Sequence, residues 1–357
     1  MLNHPAIRKS FEFLSQNAYL NTASTGLSWP GLGGAAAEFY DIAKSCGSTA
    51  REQWSARLDD TKARLASLLG VPEQRIHFVG STTEALNMTA LGMPLRRGDR
   101  VAVAADEFPS VIQPWLSLGS QGVELRRVPI PNEAQRSQAL AAALTPDVRA
   151  LAVSHVHWQT GTRADLELLS AAARRHDCRL IVDGVQAVGA VPVQAQLADV
   201  YCASTFKWLL SGFGLGILVL SERFAGEWTP PFRGYSNPAP SRSPQYGHLN
   251  YPGIYALNAS LRRFEELGWE AVYRQVERLT GYLGRELRNR GFEVSAPADA
   301  RAGIVSVPHP DADAIVRDLA ADSIWVEDRD AIVRVSPHFY NTESDLDRFI
   351  YALAKYA

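Results

Sequence analysis

The chain has few cysteines, no long apolar run and no excess of either charge. Its three cysteines among 357 residues are Cys46, Cys178 and Cys202, and none belongs to a CxxC pair. This spacing fits neither a disulfide framework nor a thiolate zinc site, so we expect a protein of the reducing cytoplasm. No run of 18 apolar residues occurs and the first residues lack an apolar signal segment, so we expect neither export nor membrane insertion.

The charge balance and the missing motifs exclude further classes of protein. Lys plus Arg number 36 and Asp plus Glu 38, and this net charge of -2 offers no basic surface for nucleic acid or anionic lipid. With 46% hydrophobic and 21% charged residues, the chain has the composition of a globular protein and not of a disordered one. The sequence also lacks GxxxxGK[ST], HExxH and GxSxG, which excludes three common kinds of catalytic site.

The segments that are present predict an α/β fold. Between about residues 76 and 222, short β-branched runs alternate with helical stretches, which indicates a parallel sheet covered on both faces. A helix is predicted over 165–176, and another ends at Gly70. The predicted strands are Ile76 to Val79, Val101 to Ala105, Leu125 to Ile130, Ala150 to Val156, Leu180 to Val185, Val200 to Thr205 and Gly216 to Leu220. We therefore predict a large domain with a seven-stranded, mainly parallel sheet.

A smaller α+β domain is predicted to follow. Five prolines between Thr229 and Pro244 indicate a connecting loop. Beyond it, helices end at Gly268 and Gly291, strands lie around 302–307 and 331–335, and a last helix begins at Thr342. We predict a large domain over 21–245, a small domain over 246–357, and an N-terminal segment, 1–20, that packs with the small domain.

The segment STTEALN follows the first strand of the large domain. The spacing of Ser81 and Glu84 predicts a capping box, in which Ser81 caps the helix and Glu84 reaches back. The free N–H groups of that first turn, with the hydroxyls of Thr82 and Thr83, would form an anion site. An ordinary helix cap fits the same residues, since capping boxes are common.

An acid and a lysine follow two later strands. Asp183 ends the apolar run LIVD and needs a partner, because an unpaired buried carboxylate costs several kcal/mol or more. Lys207 follows a later strand and precedes Trp208, so its ammonium either reaches solvent or is destabilised, as Schiff-base chemistry requires. Both residues are predicted at the carboxyl edge of the sheet. One cofactor accounts for the anion site, the acid and the lysine, and this cofactor is pyridoxal 5'-phosphate (PLP).

These motifs resemble the class V aminotransferase family of fold type I PLP enzymes, which includes cysteine desulfurases, kynureninases and isopenicillin N epimerase-like proteins. The resemblance runs from YLNTAST at Tyr19 to FYNT before the last helix, through GSTTEALN, EFPS, SHVHWQTGT, LIVDGVQAVGAVPV, STFKWLLSGFGLG and VRVSPHFYNT. It implies that the large domain binds PLP, that the substrate is an amino acid, and that two copies form a homodimer with a shared active site.

The resemblance also implies roles for individual residues. Lys207 would hold PLP as an aldimine and remove the substrate α-proton to give a quinonoid carbanion, while Asp183 keeps the ring nitrogen protonated. Gln186 would hydrogen-bond the ring oxygen, and Phe108 would stack on the ring as the phenylalanine of kynureninases does, where desulfurases carry a histidine. The phosphate cradle would consist of Ser81, Thr82, Thr83 and Ser204.

Further residues of the site are implied at the substrate side and at the subunit contact. Arg334 is expected to bind the substrate carboxylate, although an ordinary ion pair fits the sequence alone. Trp158 stands where desulfurases carry an asparagine, and we expect it to wall the pocket and contact cofactor and substrate. In the loop that reaches the neighbouring subunit's phosphate, His248 replaces the usual hydroxyl beside Asn250. A loop histidine without a ligand is the alternative.

The sequence leaves the fate of the substrate open. The segment SIWVEDRD, residues 323–330, contains no cysteine, whereas desulfurases carry a nucleophilic cysteine there, so persulfide chemistry is not expected. Transamination is favoured from the family resemblance, with β-elimination, including C–S lysis, and epimerisation as alternatives, and a non-catalytic scaffold as a further one. For His155 and His157 we favour a role as hydrogen-bonded structural residues, and a general acid is the alternative. No metal is expected.

Overall fold

A computed structural model describes residues 4–299 and 301–356 of the chain. Its strands are β1 (Ala18–Tyr19), β2 (Ile76–Val79), β3 (Arg100–Ala104), β4 (Glu124–Val128), β5 (Val148–Ser154), β6 (Arg179–Asp183), β7 (Val200–Ser204), β8 (Gly216–Leu220), β9 (Val305–Pro308), β10 (Ile324–Trp325), β11 (Glu327–Asp328) and β12 (Ile332–Val335). Its α-helices are α1 (His4–Ser10), α2 (Leu32–Cys46), α3 (Arg51–Leu69), α4 (Thr82–Gly92), α5 (Pro109–Leu116), α6 (Arg136–Ala142), α7 (Leu166–Arg175), α8 (Glu222–Glu227), α9 (Tyr251–Leu267), α10 (Trp269–Asn289), α11 (Ala312–Ala321) and α12 (Glu343–Leu353).

The main sheet has seven strands in the order β2-β8-β7-β6-β5-β3-β4. All neighbours from β7 to β4 are parallel, whereas β8 is antiparallel to both β7 and β2. Two antiparallel steps restore the direction, so β2 runs the same way as β7. The carboxyl ends of β2, β7, β6, β5 and β3 therefore lie at one edge. The predicted seven-stranded, mainly parallel sheet is confirmed.

The sequence forms this sheet because its strands are buried on both faces. Every residue of β6, β7 and β8 is buried, and such continuous apolar runs are typical of sheets covered by two helical layers. One layer includes α3 and α7, which place Leu65 and Leu169 in the core beneath the sheet. The other includes α4 and α5, with Leu86 and Ile112. The helix signals also hold, since Asp165 caps α7 and Gly70 follows α3 with a φ of 68°.

A smaller layer follows the proline-rich segment. Strands β11, β12 and β9 form an antiparallel sheet, which packs with α10, α11 and α12 around its own apolar cluster. The N-terminal residues meet this part, because β1 pairs with β10 and Arg8 forms a 2.8 Å ion pair with Asp345. The division at 20 and 245 stays a prediction.

The structure differs from the predicted elements in several places. Helix α2 was not predicted, because its small residues LGGAAA give no apolar periodicity. The strand expected around 302–307 lies at Val305–Pro308, and no helix or strand occurs over 228–250, where prolines predicted a loop. None of the helices in the described ranges is long and apolar enough to cross a membrane.

Gly26 packs closely against the loop that carries Lys207. A Cβ at Gly26 would lie 2.1 Å from the carbonyl oxygen of Lys207 and 2.4 Å from the Leu210 side chain. We predict that Gly26→Ala lowers the free energy of unfolding by about 1–3 kcal/mol, measured by urea denaturation, because the backbone must shift. Gly33→Ala in α2 is the control. A Cβ there meets nothing within 4 Å, so stability should stay equal or rise by up to about 1 kcal/mol. Equal stability of both variants would contradict the packing described.

Candidate active site

A pocket of about 240 Å³ opens at the carboxyl edge of the main sheet. The last residues of three neighbouring strands, Ser154, Asp183 and Ser204, form part of its wall. This is the edge at which ligands bind in open α/β sheets. The predicted site residues that line the pocket are Ser81, Thr82, Thr83, Phe108, Trp158, Asp183, Gln186, Ser204, Lys207 and Arg334.

The N-terminus of α4 is tied to the end of β7 at one side of the pocket. Thr82 donates its N–H to Ser204 Oγ at 2.8 Å, and Ser204 donates its N–H to Thr82 Oγ1 at 2.7 Å. Ser81 Oγ caps the helix by accepting the N–H of Glu84, as predicted. The Glu84 carboxylate differs from the prediction, because it accepts the N–H of Gly80 and not that of Ser81. Backbone N–H groups and hydroxyls thus converge at a positive helix end, which suits a phosphate.

Asp183 is a buried carboxylate in the pocket wall. Its Oδ1 accepts the N–H of Val185 at 2.9 Å, and this is the one hydrogen bond that the carboxylate makes to the described residues. Burial raises the pKa of Asp183 from 3.8 to about 7, against the Val185 hydrogen bond and the attraction of Lys207, which lower it. A cation beside this carboxylate would favour its charged form.

Lys207 lies in the loop between β7 and β8, whose flanking residues fix its position. The carbonyl of Lys207 accepts the N–H of Leu210, and the carbonyl of Trp208 accepts the ring N–H of His338 at 2.9 Å. Burial, together with the charge of Arg334, lowers the pKa of Lys207 from 10.5 to about 8, and the charge of Asp183 opposes this shift. A substantial share of this amine is therefore neutral near physiological pH, which makes it nucleophilic and basic.

Two aromatic residues and a glutamine complete the wall around Lys207. Phe108 and Trp158 meet edge to face, with ring centroids 5.5 Å apart. The side-chain oxygen of Gln186 accepts the indole N–H of Trp208 at 2.8 Å, and its NH₂ donates to the carbonyl of Ala23 at 3.0 Å. Gln186 is thus held in one orientation and keeps a second N–H for a ligand.

Arg334 is buried at the far side of the pocket. One of its terminal nitrogens donates to the carbonyl of Trp158 at 2.9 Å, and the other pairs with Glu327. Its Nε has no hydrogen-bond partner within residues 4–299 and 301–356. Burial, together with the charge of Arg329, lowers the pKa of Arg334 from 12.5 to about 10, although Glu327 opposes this shift. A carboxylate bound at Nε would satisfy this donor.

Two predicted residues lie outside the pocket of this chain. Asn250 caps α9 by accepting the N–H of Gly253 and donates to the carbonyl of Gly214 at 2.8 Å. His248 stacks edge to face on Tyr235, and both predicted residues line a separate cavity beside Glu84. Their contact with a neighbouring subunit's phosphate stays a prediction, because it needs a second chain.

The histidines of HVHW do not line the pocket. His155 shares a 2.9 Å hydrogen bond with the Tyr201 hydroxyl, and burial lowers the pKa of His155 from 6.5 to about 3. His157 contacts Thr160 and the carbonyl of Asp106, and burial lowers its pKa as well. Both rings are neutral hydrogen-bonded residues in this structure.

Ser110 and Arg329 are among the pocket residues that the sequence did not single out. Ser110 shares a 2.9 Å hydrogen bond with Thr83 Oγ1, and it belongs to the quoted motif EFPS. Arg329 lines the pocket and pairs with Glu327. Both residues lie in motifs quoted above, EFPS and SIWVEDRD, but the sequence alone did not indicate a role for either of them.

Comparison with known proteins identifies the family. The Aminotransferase class-V family model matches residues 18–349, and the chain therefore belongs to this family of PLP-dependent enzymes. It is 29% identical over 319 residues to a cysteine desulfurase of Salmonella agona, covering 79% of this chain and 78% of the relative. It is 28% identical over 335 residues to an uncharacterized protein of Schizosaccharomyces pombe, covering 85% of this chain and 76% of the relative.

Solved structures share the fold. A cysteine desulfurase from Thermococcus onnurineus NA1 superimposes with a TM-score of 0.89 at 22% identity, covering 100% of this chain and 98% of that one. The cystine C–S lyase C-DES, solved with its reaction product cysteine persulfide, gives a TM-score of 0.88 at 23% identity, covering 96% of this chain and 99% of that one. The fold is therefore fold type I of the PLP enzymes, as predicted.

The pocket residues fit the cofactor of this family. The N-terminus of α4, with Thr82 and Thr83, and the neighbouring Ser204 offer donors for a phosphate. The Asp183 carboxylate accepts only the N–H of Val185 among the described residues, so it can also bind a protonated ring nitrogen. Lys207 offers an amine in the same pocket. The cofactor is PLP, and the contacts of the individual residues with it stay predictions.

The pocket lysine should titrate far below an ordinary amine. We predict that Lys207 of the cofactor-free protein is acetylated by acetic anhydride with a rate that rises with pH and levels off above about 8, because only the neutral amine reacts. Mass spectrometry of the peptide carrying Lys207 measures this rate, with N-acetyl-lysine amide as the reference. A midpoint near 10.5 would contradict the desolvation described here.

Proposed function

We propose that this protein is a PLP-dependent lyase, which eliminates a sulfur substituent from Cβ of an amino acid. The observation that carries the proposal is the presence of Lys207 and Asp183 in one pocket that also contains Arg334 and, among the described residues, no cysteine. When bound, PLP supplies an aldehyde for the substrate amine and a ring that withdraws electrons from Cα.

Substrate orientation is assigned to Arg334. Its unpartnered Nε, next to the nitrogen shared with Glu327, offers a donor to the substrate α-carboxylate. The carbonyl of Trp158 and the carboxylate of Glu327 hold the guanidinium in place, so the substrate does not have to order it. Phe108 and Trp158 contact each other in the wall of the same pocket and present apolar surface to the substrate.

Proton transfer is assigned to Lys207. Its pKa of about 8 leaves a share of neutral amine that can accept the α-proton at Nζ, and Asp183 stabilises the ammonium that results. Asp183 itself would hold a protonated ring nitrogen, because a buried carboxylate with a single N–H contact has acceptor capacity left for a cation.

The lack of a pocket thiol favours elimination over desulfuration. Cys178 and Cys202 are buried in or beside strands, and burial raises the pKa of Cys178 from 9.0 to about 12. Cys46 is exposed near the end of α2 and does not line the pocket. Relatives named cysteine desulfurase support a substrate with sulfur at Cβ, and the name of C-DES supports C–S lysis. Transamination and epimerisation start from the same α-proton step.

Product analysis tests the proposal. We predict that the PLP-loaded protein converts L-cysteine, with one water, into equal amounts of pyruvate, ammonia and hydrogen sulfide, and an S-substituted L-cysteine into pyruvate, ammonia and the free thiol. Lys207→Ala should lower the rate at least about a thousandfold. Pyruvate, ammonia, thiol, alanine and chirality are measured together. A keto acid that keeps its sulfur would indicate transamination, a D-amino acid epimerisation, and alanine with protein-bound sulfur desulfuration. Each of these as the main product would contradict the proposal.

Alkylation provides the matched control. Iodoacetamide should modify the exposed Cys46 and spare the two buried thiols, and pyruvate release should stay unchanged. Loss of activity on alkylation would point to a thiol in the reaction.

A further inference from the structure

Two buried guanidinium donors in the pocket lack an acceptor. Besides Arg334 Nε, Arg329 Nε is buried without a hydrogen-bond partner among the described residues, and both arginines line the pocket with Lys207. A buried donor left without an acceptor is energetically unfavourable. With the substrate α-carboxylate assigned to Arg334, Arg329 is left to bind a different anion: its side chain is 42% exposed, and one of its terminal nitrogens pairs with Glu327.

The local structure holds Arg329 at the pocket. Glu327 and Arg334 face each other across the hairpin of β11 and β12, and Arg329 lies in the turn between these strands. Its N–H donates to the carbonyl of Ile332 at 2.9 Å, and its carbonyl accepts the side-chain N–H of Gln159 at 3.1 Å. The turn is tight, because Asp330 and Ala331 adopt φ values of 53° and 59°. Such left-handed residues other than glycine occur where the surrounding structure fixes the backbone, often at ligand sites.

The charges in this part of the pocket leave room for a second anion. The two oxygens of Glu327 pair with one guanidinium each, so the three side chains together carry one positive charge. An α-carboxylate on Arg334 neutralises that charge. Lys207 adds a positive charge whenever it holds a proton, and Arg329 is close enough to Lys207 to act on it electrostatically. A second anion next to Arg329 would be attracted by that guanidinium, whereas Asp183 already balances part of the charge of the protonated lysine.

We propose that Arg329 binds a second anionic group, which the substrate carries on the substituent attached to its β-sulfur. This inference rests on the proposed function, since it assigns the substrate class to the same site. The substrate would be a cysteine S-conjugate whose leaving thiol bears a carboxylate. Elimination from the simplest member, S-carboxymethyl-L-cysteine, breaks the Cβ–S bond and gives thioglycolate, pyruvate and ammonia, with one water consumed.

Binding of two matched ligands tests the inference without turnover. The α-methyl derivatives of S-carboxymethyl-L-cysteine and of its neutral amide, S-carbamoylmethyl-L-cysteine, have no α-proton to lose. Their Kd values are measured with the PLP-loaded protein from the cofactor absorbance. We predict that the acid binds at least about tenfold more tightly than the amide, and that Arg329→Gln reduces this ratio to about one by weakening the acid alone.

Control variants separate charge recognition from structural damage. Arg329→Lys keeps the charge and should retain part of the ratio, whereas Arg317→Gln on the exposed face of α11 should retain all of it. An unchanged ratio in Arg329→Gln, or equal weakening of both ligands, would overturn the inference. If the ratio behaves as predicted while the reactive substrates yield a keto acid that keeps its sulfur, the proposed elimination fails and the anion site stands.

Discussion

The site depends on an acid and an amine that are held together in one pocket at the edge of the main sheet. Burial shifts the pKa of Asp183 upward and that of Lys207 downward, and their mutual attraction opposes both shifts. Burial destabilises the charged form of both groups. Apolar residues at these two positions would stabilise the fold at least as well. The arrangement is explained by a ligand that needs an acid at one end and an amine at the other, which PLP does.

The sheet topology brings the remaining chemistry to the same place. Because β8 runs antiparallel between β2 and β7, the helix after β2 starts beside the end of β7, and Thr82 can exchange hydrogen bonds with Ser204. Gly216 begins β8 at this point, where a Cβ would lie 2.9 Å from the Ser81 backbone. The phosphate end of the site is thus built by strand order, while the substrate end comes from the hairpin that carries Arg334 and Arg329.

Much of this could be predicted from sequence, for physical reasons that differ between elements. Buried parallel strands read as continuous apolar runs, so the seven strands of the main sheet and Asp183 at the end of one of them were predictable. Helix caps such as Ser81, Asp165 and Thr342 are local signals, and all three cap their helices in the structure.

Other features depend on contacts that a pattern does not encode. Helix α2 has no apolar periodicity, and the reach of Glu84 to Gly80 depends on the backbone turn before the helix. The role of Arg329 arises from a hairpin whose strands are two and four residues long, too short for a periodic signal. The sequence motif around Lys207 identified the amine. It did not indicate the hydrogen bond from His338 to the carbonyl of Trp208, which helps to fix the loop.

Reduction of the PLP-loaded protein with borohydride, followed by peptide mapping, tests the central claim most directly. The chain has five lysines, at positions 9, 44, 62, 207 and 355, so the position of the label is unambiguous. The account predicts a yellow protein that bleaches on reduction and carries the pyridoxyl group on Lys207 alone. A label on another lysine, or a Lys207→Ala variant that is labelled as fully as the unaltered protein, would contradict it.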